Sequence, residues 1–128
     1  MRFLLDTRLL LWASGPLELL PDAAALLLAD PENELFFSVV NLWEVTIKHG
    51  LRRPDFRAEP RALRRGLLEN GYGELTITSD HAFAVGLLPP IHKDPFDRIL
   101  IAQAMVEAIT LLTSDPIVAR YPGPVRAV

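Results

Sequence analysis

Four carboxylic acids are the residues of this chain best suited to chemistry: Asp6, Glu44, Asp97 and Asp115. The first directly follows a short apolar run, the last follows another after Thr113-Ser114, and the other two lie near the starts of predicted helices. Carboxylates that share one site repel one another and raise each other's pKa, so such a group needs a cation. Mg²⁺ and Mn²⁺ prefer carboxylate oxygens. An ion held in this way can activate water and stabilise an in-line displacement at phosphorus.

Whether these acids meet depends on the strands that precede them. Short apolar segments bounded by turn residues predict strands at 2–5, 34–38, 74–78 and 110–113, with a last edge strand at 125–128. Helical patterns separate these segments, which predicts an α/β domain with a parallel sheet of four or five strands flanked by helices. Ligands bind outside the carboxyl ends of the strands in such sheets. Asp6 and Asp115 stand at these ends.

Capping residues and prolines mark the predicted helices. We predict helices over 9–13, 22–28 and 59–69. Three further helices are predicted to begin at Ser38 or Asn41, at Ser79 or Asp80, and at Asp94-Pro95. The first of these three reaches about residue 49 and the second about residue 88. The acids Asp80 and Asp94 are predicted to act as N-caps, because a carboxylate there accepts hydrogen bonds from free backbone N–H groups. A further turn begins at Ser114-Asp115-Pro116.

Local roles offer an alternative for each of the four acids. Asp115 stands before a proline and is a good N-cap. Asp97 would complete a D-x-x-D capping pattern with Asp94, and Glu44 would pair with Lys48 at i,i+4. The acid after the first strand is harder to explain, because a buried carboxylate needs a capping role, a cation or a metal. Capping does not explain why four acids converge on one end of one sheet.

The composition excludes several kinds of protein. The chain has 128 residues, half of them hydrophobic and 23% charged, which is typical of one globular domain over 1–128. It has no cysteine, which excludes disulfides, thiolate zinc sites and cysteine nucleophiles. Neither a signal peptide nor a membrane-spanning segment is visible. We therefore expect a soluble, cytoplasmic protein.

Four segments together resemble the PIN domain, specifically the VapC-type toxins of bacterial toxin–antitoxin modules. They are FLLDT (3–7), LFFSVVNLWEVTIK (35–48), LPPIHKDPFDRILIAQA (88–104) and LLTSDPIVARY (111–121). They occur in the order and at the spacing of the family and cover nearly the whole chain. The most specific part is an S-x-x-x-L-W-E-x-x-I-K helix followed by H-x-D-P-F-D-R.

The resemblance implies a three-layer α/β fold and Mg²⁺- or Mn²⁺-dependent cleavage of RNA. It implies that Asp6 and Asp97 bind the metal directly. Glu44 would bind or orient a second metal, or position the water, and Asp115 would act through water. The resemblance therefore implies an endoribonuclease toxin. Transfer RNA, ribosomal RNA and messenger RNA all remain open as its substrate.

More than one role is open for several other positions in these motifs. Many relatives have histidine where this chain has Arg8, which would touch phosphate, face solvent or face a partner. Thr7 and Ser38 would support the metal site by hydrogen bonds or act only as caps. His92 lies near the third acid in sequence, and we predict a structural role for it.

The resemblance also implies partners. A cognate antitoxin would place its tail, often with an arginine, beside the acids, and the toxin would form a homodimer through helices. Apolar contact candidates, with burial in the core as the alternative, are Trp12, Phe36, Leu42 and Trp43. The stretch 48–65 holds seven basic and two acidic residues, whereas the rest of the chain holds six basic and fourteen acidic residues. It would contact the RNA backbone, seat an acidic antitoxin segment, or form a solvated helix face.

Two rival functions are less consistent with these residues. A phosphotransfer domain would use Asp6 as the nucleophile, but the related haloacid-dehalogenase pattern needs an acid where Arg8 stands. A receiver-like site at Asp55 lacks a preceding strand. A catalytically silent PIN-like binding module is the second rival, and the presence of all four acids argues against it.

Overall fold

A computed structural model describes all residues, 1–128. Five parallel strands form one sheet in the order β3-β2-β1-β4-β5. The strands are β1 (Arg2–Leu5), β2 (Glu34–Ser38), β3 (Gly73–Leu75), β4 (Thr110–Thr113) and β5 (Val125–Ala127). The parallel sheet and the α/β class confirm the prediction. β1 lies at the centre, in register with β2 on one side and β4 on the other, so the first predicted acid emerges from the middle of the sheet.

Six α-helices connect the strands, and two short 3-10 helices complete the fold. The α-helices are α1 (Thr7–Ala13), α2 (Asp22–Ala29), α3 (Val39–Gly50), α4 (Pro60–Glu69), α5 (Ser79–Val85) and α6 (Pro95–Glu107). The 3-10 helices cover Leu17–Leu19 and Val118–Arg120. Side-chain caps at Ser38, Glu59 and Asp94 begin α3, α4 and α6, as predicted. None of these helices has the length and apolarity to cross a bilayer.

Helices pack on both faces of the sheet and make three layers. Alternate residues of a strand point to opposite faces, so Phe3 and Leu5 join one core cluster while Leu4 joins the other. The first cluster includes residues of α1, α2 and α4, and the second is built mainly on α6. Because both faces are buried, the three inner strands β1, β2 and β4 are almost continuously apolar, and their polar side chains lie at the strand ends.

The third strand is shorter than predicted. We predicted 74–78, but β3 ends at Leu75, which pairs with Ser38 at the end of β2. Beyond Ser38 the neighbouring chain turns into α3, so Thr76 has no strand to pair with. Its carbonyl accepts a hydrogen bond from the side chain of Gln103 instead (3.2 Å).

The start and end of α5 also differ from the prediction. Thr78, rather than Ser79 or Asp80, is the N-cap, and its side chain accepts from the backbone N–H of His81. The His81 ring in turn accepts from the N–H of Thr78 at 3.0 Å, which completes a capping box. The helix ends at Val85 rather than near residue 88, because the following turns are tightened by i→i−3 hydrogen bonds.

The candidate contact residues divide between core and surface. Trp12, Phe36 and Leu42 are partly buried against the two core clusters. Trp43 is 55% exposed, and its ring meets that of Phe96 edge-on, with the centroids 5.1 Å apart. Core packing therefore explains three of the four, and only Trp43 is available for a partner.

Candidate functional site

All four predicted acids line a single cleft at the carboxyl edge of the sheet. The cleft has a volume of about 370 Å³. Its polar lining consists of Asp6, Thr7, Arg8, Glu44, Lys48, His92, Asp94, Asp97, Ser114 and Asp115. The chain brings these residues together from β1, α3, α6 and the turn after β4, as expected for a parallel sheet whose strands end at one edge.

Asp6 is fixed at the centre of the cleft by neutral donors. One carboxylate oxygen accepts from the backbone N–H of Leu9 (2.9 Å), which makes Asp6 the N-cap of α1. The other accepts from the Thr113 hydroxyl (2.7 Å) and the backbone N–H of Ser114 (3.1 Å). Burial raises the pKa of Asp6, these hydrogen bonds oppose the rise, and the charge of Asp115 adds to it. Asp6 therefore does act as an N-cap, and no cationic side chain neutralises its carboxylate.

Glu44 lies one turn into α3 and is almost fully buried. One of its oxygens accepts from the Thr7 hydroxyl at 2.6 Å, and the Asn41 amide donates to the same hydroxyl at 3.0 Å. The other oxygen pairs with the Lys48 ammonium. The i,i+4 ion pair predicted as the alternative role is therefore present, and it lies inside the cleft.

Asp97 lies near the start of α6 and contacts a histidine. Its Oδ2 is 2.8 Å from Nε2 of His92. Burial raises the pKa of Asp97 to about 7, and the charges of Asp94 and Glu44 add to the rise while the hydrogen bond to His92 opposes it. Asp94 caps α6 by accepting from the N–H groups of Phe96 and Asp97. The Asp97 side chain takes no part in this cap, which excludes the predicted capping alternative for it.

The backbone around His92 is held by two side chains from elsewhere in the fold. The Tyr121 hydroxyl accepts from the N–H of His92 at 2.8 Å. Arg98 donates to that hydroxyl (3.0 Å), and also to the carbonyls of Pro89 (3.1 Å) and Val85 (3.2 Å). This arginine, the last residue of the D-P-F-D-R motif, therefore fastens the loop that carries His92 to the edge of the cleft.

Asp115 is the most exposed of the four acids and lies at the rim. Its Oδ1 accepts from the N–H of Ile117 at 2.8 Å, so it caps a turn as the alternative predicted. Its Oδ2 faces His92 Nε2 at 3.9 Å. Thr113 links this residue to the centre, because its hydroxyl donates to Asp6 and accepts from the N–H of Asp115 (3.0 Å).

The donor set fits a divalent cation. No lysine or arginine lies within 4 Å of the carboxylates of Asp6, Asp94, Asp97 or Asp115. One ligating atom from each of His92, Asp94 and Asp97 lies within 4.8 Å of the others. Burial raises the pKa values of Asp6 and Asp97, so their charged forms carry an electrostatic cost that a bound cation would offset. Clustered carboxylate oxygens are the ligands that Mg²⁺ and Mn²⁺ prefer.

Some roles foreseen for supporting residues differ in the structure. Thr7 does contact an acid, Glu44. Ser38 does not, since it caps α3 and donates to Gln103 at 2.7 Å. Arg8 lies on the rim, 58% exposed, and its nearest acid is Asp55 at 3.8 Å.

Four residues of the site were missed or assigned other roles: Asn41, Lys48, His92 and Thr113. Lys48 was predicted to pair with Glu44 and to belong to the basic stretch 48–65, and His92 was predicted to be structural. The structure places the His92 ring beside two acids of the cleft, Asp97 and Asp115. The available sequence signal was the H-x-D-P-F-D-R spacing, which puts the ring within reach of Asp97. Nothing local in the sequence indicates the contact between Thr113 and Asp6, which are 107 residues apart.

The three layers, the parallel sheet and the carboxylates gathered at one edge of that sheet define this protein as an α/β domain with an acidic site. Residues 3–124 match the profile of the PIN domain. The chain therefore belongs to the PIN domain family, and the resemblance found in its motifs is confirmed. No curated protein matches the chain significantly.

Solved structures with the same fold come from several bacteria. A chain of "VapBC2 from Rickettsia felis bound to a DNA fragment from their promoter" is 17% identical with a TM-score of 0.74, covering 100% of this chain and 99% of that one. A chain of DNA-bound VapBC from Salmonella typhimurium is 16% identical with a TM-score of 0.68, covering 99% and 98%. A chain of a toxin–antitoxin complex from Klebsiella pneumoniae is 23% identical with a TM-score of 0.62, covering 96% and 94%. These similarities extend over the whole fold.

Proposed function

We propose that this chain, as one PIN domain over 1–128, is a metal-dependent endoribonuclease and the toxin of a VapBC-like toxin–antitoxin module. The observation that carries this proposal is the set of carboxylates without lysine or arginine partners in the cleft. Buried carboxylates of this kind are costly unless they bind a cation. The similarity to chains of VapBC complexes supports the assignment to the toxin class.

The residues of the cleft have different roles in the proposed phosphodiester hydrolysis. Asp6 and Asp97 hold Mg²⁺ or Mn²⁺, which when bound supplies positive charge at the phosphoryl oxygens and lowers the pKa of a water. Thr113 and the backbone of Ser114 keep the Asp6 carboxylate in one orientation. His92 orients Asp97 through their hydrogen bond, and Asp115, whose Oδ2 faces His92 at the rim, would accept a hydrogen bond from the attacking water.

The RNA backbone is held by the exposed arginines of the 48–65 stretch. Four of these arginines have no acidic partner and form what we call the arginine surface: Arg52, Arg57, Arg61 and Arg65. Two others are paired, Arg53 with Asp55 and Arg64 with Glu74. Unpaired arginines supply salt-dependent attraction to phosphate without reading sequence. In this binding mode the shape of the substrate decides between transfer, ribosomal and messenger RNA. The proposed place of the reaction is the cytoplasm, where these RNAs occur.

An antitoxin and a second copy of the chain are the proposed protein partners. The cleft carboxylates fit an arginine side chain from an antitoxin, because a guanidinium pairs with such oxygens in a bidentate way. Trp43 and Ile47 lie on α3 and Leu51 is its C-cap; the three are spaced four residues apart and are 55%, 41% and 69% exposed. This face is proposed as the homodimer contact. Light scattering should show a dimer for the wild type and a monomer for Ile47→Glu.

Cleavage of total cellular RNA by the antitoxin-free protein tests the proposal. Reactions should contain Mg²⁺, Mn²⁺ or EDTA, and each should be run with wild type, Asp6→Asn and Asp97→Asn. Asp80→Asn is the matched control, since Asp80 is an exposed acid outside the cleft. We expect discrete fragments that require metal, survive in the control and vanish in both cleft variants. Folded wild-type protein that binds Mn²⁺ but cleaves nothing would favour the catalytically silent binding module.

A further inference from the structure

Lys48 brings a fixed positive charge into the acidic cleft. Its ammonium contacts Oε2 of Glu44 at 2.5 Å. The same nitrogen lies 4.8 Å from the centre of the Phe56 ring and 6.0 Å from that of Phe96. The side chain is only 19% exposed. An ammonium held by a carboxylate and two aromatic faces is attracted by all three groups, and its partial desolvation strengthens each contact.

The pairing sets Glu44 apart from the other cleft acids. Its first oxygen accepts from Thr7 and its second is occupied by Lys48. Asp6 accepts only from neutral donors, and Asp97 contacts only His92. Glu44 is thus the one acid of the cleft whose charge is already balanced by a lysine.

We propose that Lys48 takes Glu44 out of metal coordination and limits the cleft to a single divalent ion, held on the side of Asp6 and Asp97. This inference rests on the proposed metal-dependent function and deepens it. It departs from the role that the family resemblance implied for Glu44, a ligand of a second metal. In this arrangement the ammonium is a positioning group that supplies fixed positive charge where a second ion would otherwise bind.

Distances explain why the lysine and a second ion exclude each other. Mg²⁺ binds carboxylate oxygen at about 2.1 Å, so an ion on Oε2 of Glu44 would lie within about 5 Å of the ammonium nitrogen. Two positive charges this close in a partly buried site repel strongly. For Lys48 to move away, it would lose Glu44 and both ring contacts at once.

Counting bound Mn²⁺ ions tests the inference directly. Calorimetric titration at pH 8 gives the stoichiometry, and electron paramagnetic resonance detects a spin-coupled pair of ions, which two-metal sites hold about 3.5–4 Å apart. Lys48→Met removes the charge but keeps an unbranched apolar side chain beside Phe56. Lys48→Arg keeps the charge. Arg8→Met is the matched control, because it removes a charge from the rim without touching an acid of the cleft.

We expect one ion for wild type, Lys48→Arg and Arg8→Met, and a second, spin-coupled ion for Lys48→Met. A Lys48→Met protein that still binds one ion, at unchanged or tighter affinity, would overturn the inference while the proposed function stands. Two ions in the wild type would overturn it in the same way. A wild type that binds no Mn²⁺ at all would overturn both.

A charge-neutral double variant keeps the test valid if Lys48→Met fails to fold. Glu44→Gln combined with Lys48→Met removes the whole ion pair and leaves no unpaired buried charge. If Glu44 is not a ligand, this variant binds one Mn²⁺ with an affinity within about threefold of wild type. If it is a ligand, the affinity falls by at least about tenfold, because even the loss of an outer partner of a metal ligand costs about 10–100-fold, and the inference is wrong.

Discussion

The acidic cleft and the arginine surface carry opposite charges and are built in opposite ways. In the cleft, Asp6 is buried and its oxygens are fixed by three neutral donors. On the arginine surface, Arg61 and Arg65 are exposed and have no acidic partner. Fixed, buried charge suits an ion that must sit in one place, whereas exposed, unpaired charge suits a polyanion that binds in many registers. The comparison predicts that cleft variants change catalysis and arginine variants change binding.

The largest effect is expected from Asp97→Asn. Loss of one anionic metal ligand should lower kcat on the order of 10³-fold, or about 4 kcal/mol of transition-state stabilisation. Single-turnover cleavage of a purified RNA target measures this rate. KM should change little, because the arginine surface is intact. An unchanged kcat would mean that the cleft does not perform the chemistry.

A smaller loss is expected from Thr113→Val, which removes the hydroxyl that joins Asp6 to the turn carrying Asp115. Supporting hydrogen bonds of this kind are typically worth about 10–100-fold in metal affinity. Mn²⁺ titration should show this weakening, and Thr113→Ser should restore most of the affinity. An unchanged Mn²⁺ affinity in Thr113→Val, which keeps the methyl group and the shape of the side chain, would contradict this role of the hydroxyl.

Metal binding should stabilise the protein more at high pH than at low pH. Burial raises the pKa of Asp97 from 3.8 to about 7, so between these values the folded chain binds more protons than the unfolded chain. The metal-free protein therefore loses stability as the pH rises through this window. Mg²⁺ relieves the repulsion above pH 7. The increase in Tm with Mg²⁺ should be larger at pH 8 than at pH 5.5 by about 3–6 °C, and the difference should shrink in Asp97→Asn.

The smallest effect is expected from Arg61→Ala with Arg65→Ala. Loss of two unpaired charges should raise KM several-fold with kcat unchanged, and should reduce the slope of log affinity against log salt by about 1.4 for single-stranded RNA. Arg64→Ala is the matched control on the same helix, because Glu74 already neutralises Arg64 at 2.8 Å. If the control weakens binding equally, the arginine surface is not the RNA contact.

Features encoded within one segment could be predicted, and features that join distant segments could not. Asp6 and Asp115 follow apolar runs, so their place at the sheet edge follows from the strands. The end of β3 depends on where β2 turns into α3, which the 74–78 segment does not encode. At the start of α5, Thr78, Ser79 and Asp80 are all good caps, and the capping box with His81 decides among them.

The supporting residues of the site were hardest to foresee for the same reason. Thr113 reads as the last residue of a strand, and only the fold brings its hydroxyl to Asp6. The ion pair of Glu44 with Lys48 could be read from the i,i+4 spacing, but its place inside the cleft could not. Arg98 is visible in the D-P-F-D-R motif, whereas its contact with Tyr121 depends on tertiary packing.

The most direct test of the central claim is a change of metal preference in Asp97→Cys. A thiolate is a soft ligand that binds Mg²⁺ poorly and Cd²⁺ well. We expect Asp97→Cys to lose RNA cleavage in Mg²⁺ and to regain it when Cd²⁺ is added at concentrations that leave the wild type unstimulated. Such rescue would show that residue 97 binds the catalytic ion. Full activity of Asp97→Cys in Mg²⁺ alone would contradict the claim that this acid holds the metal.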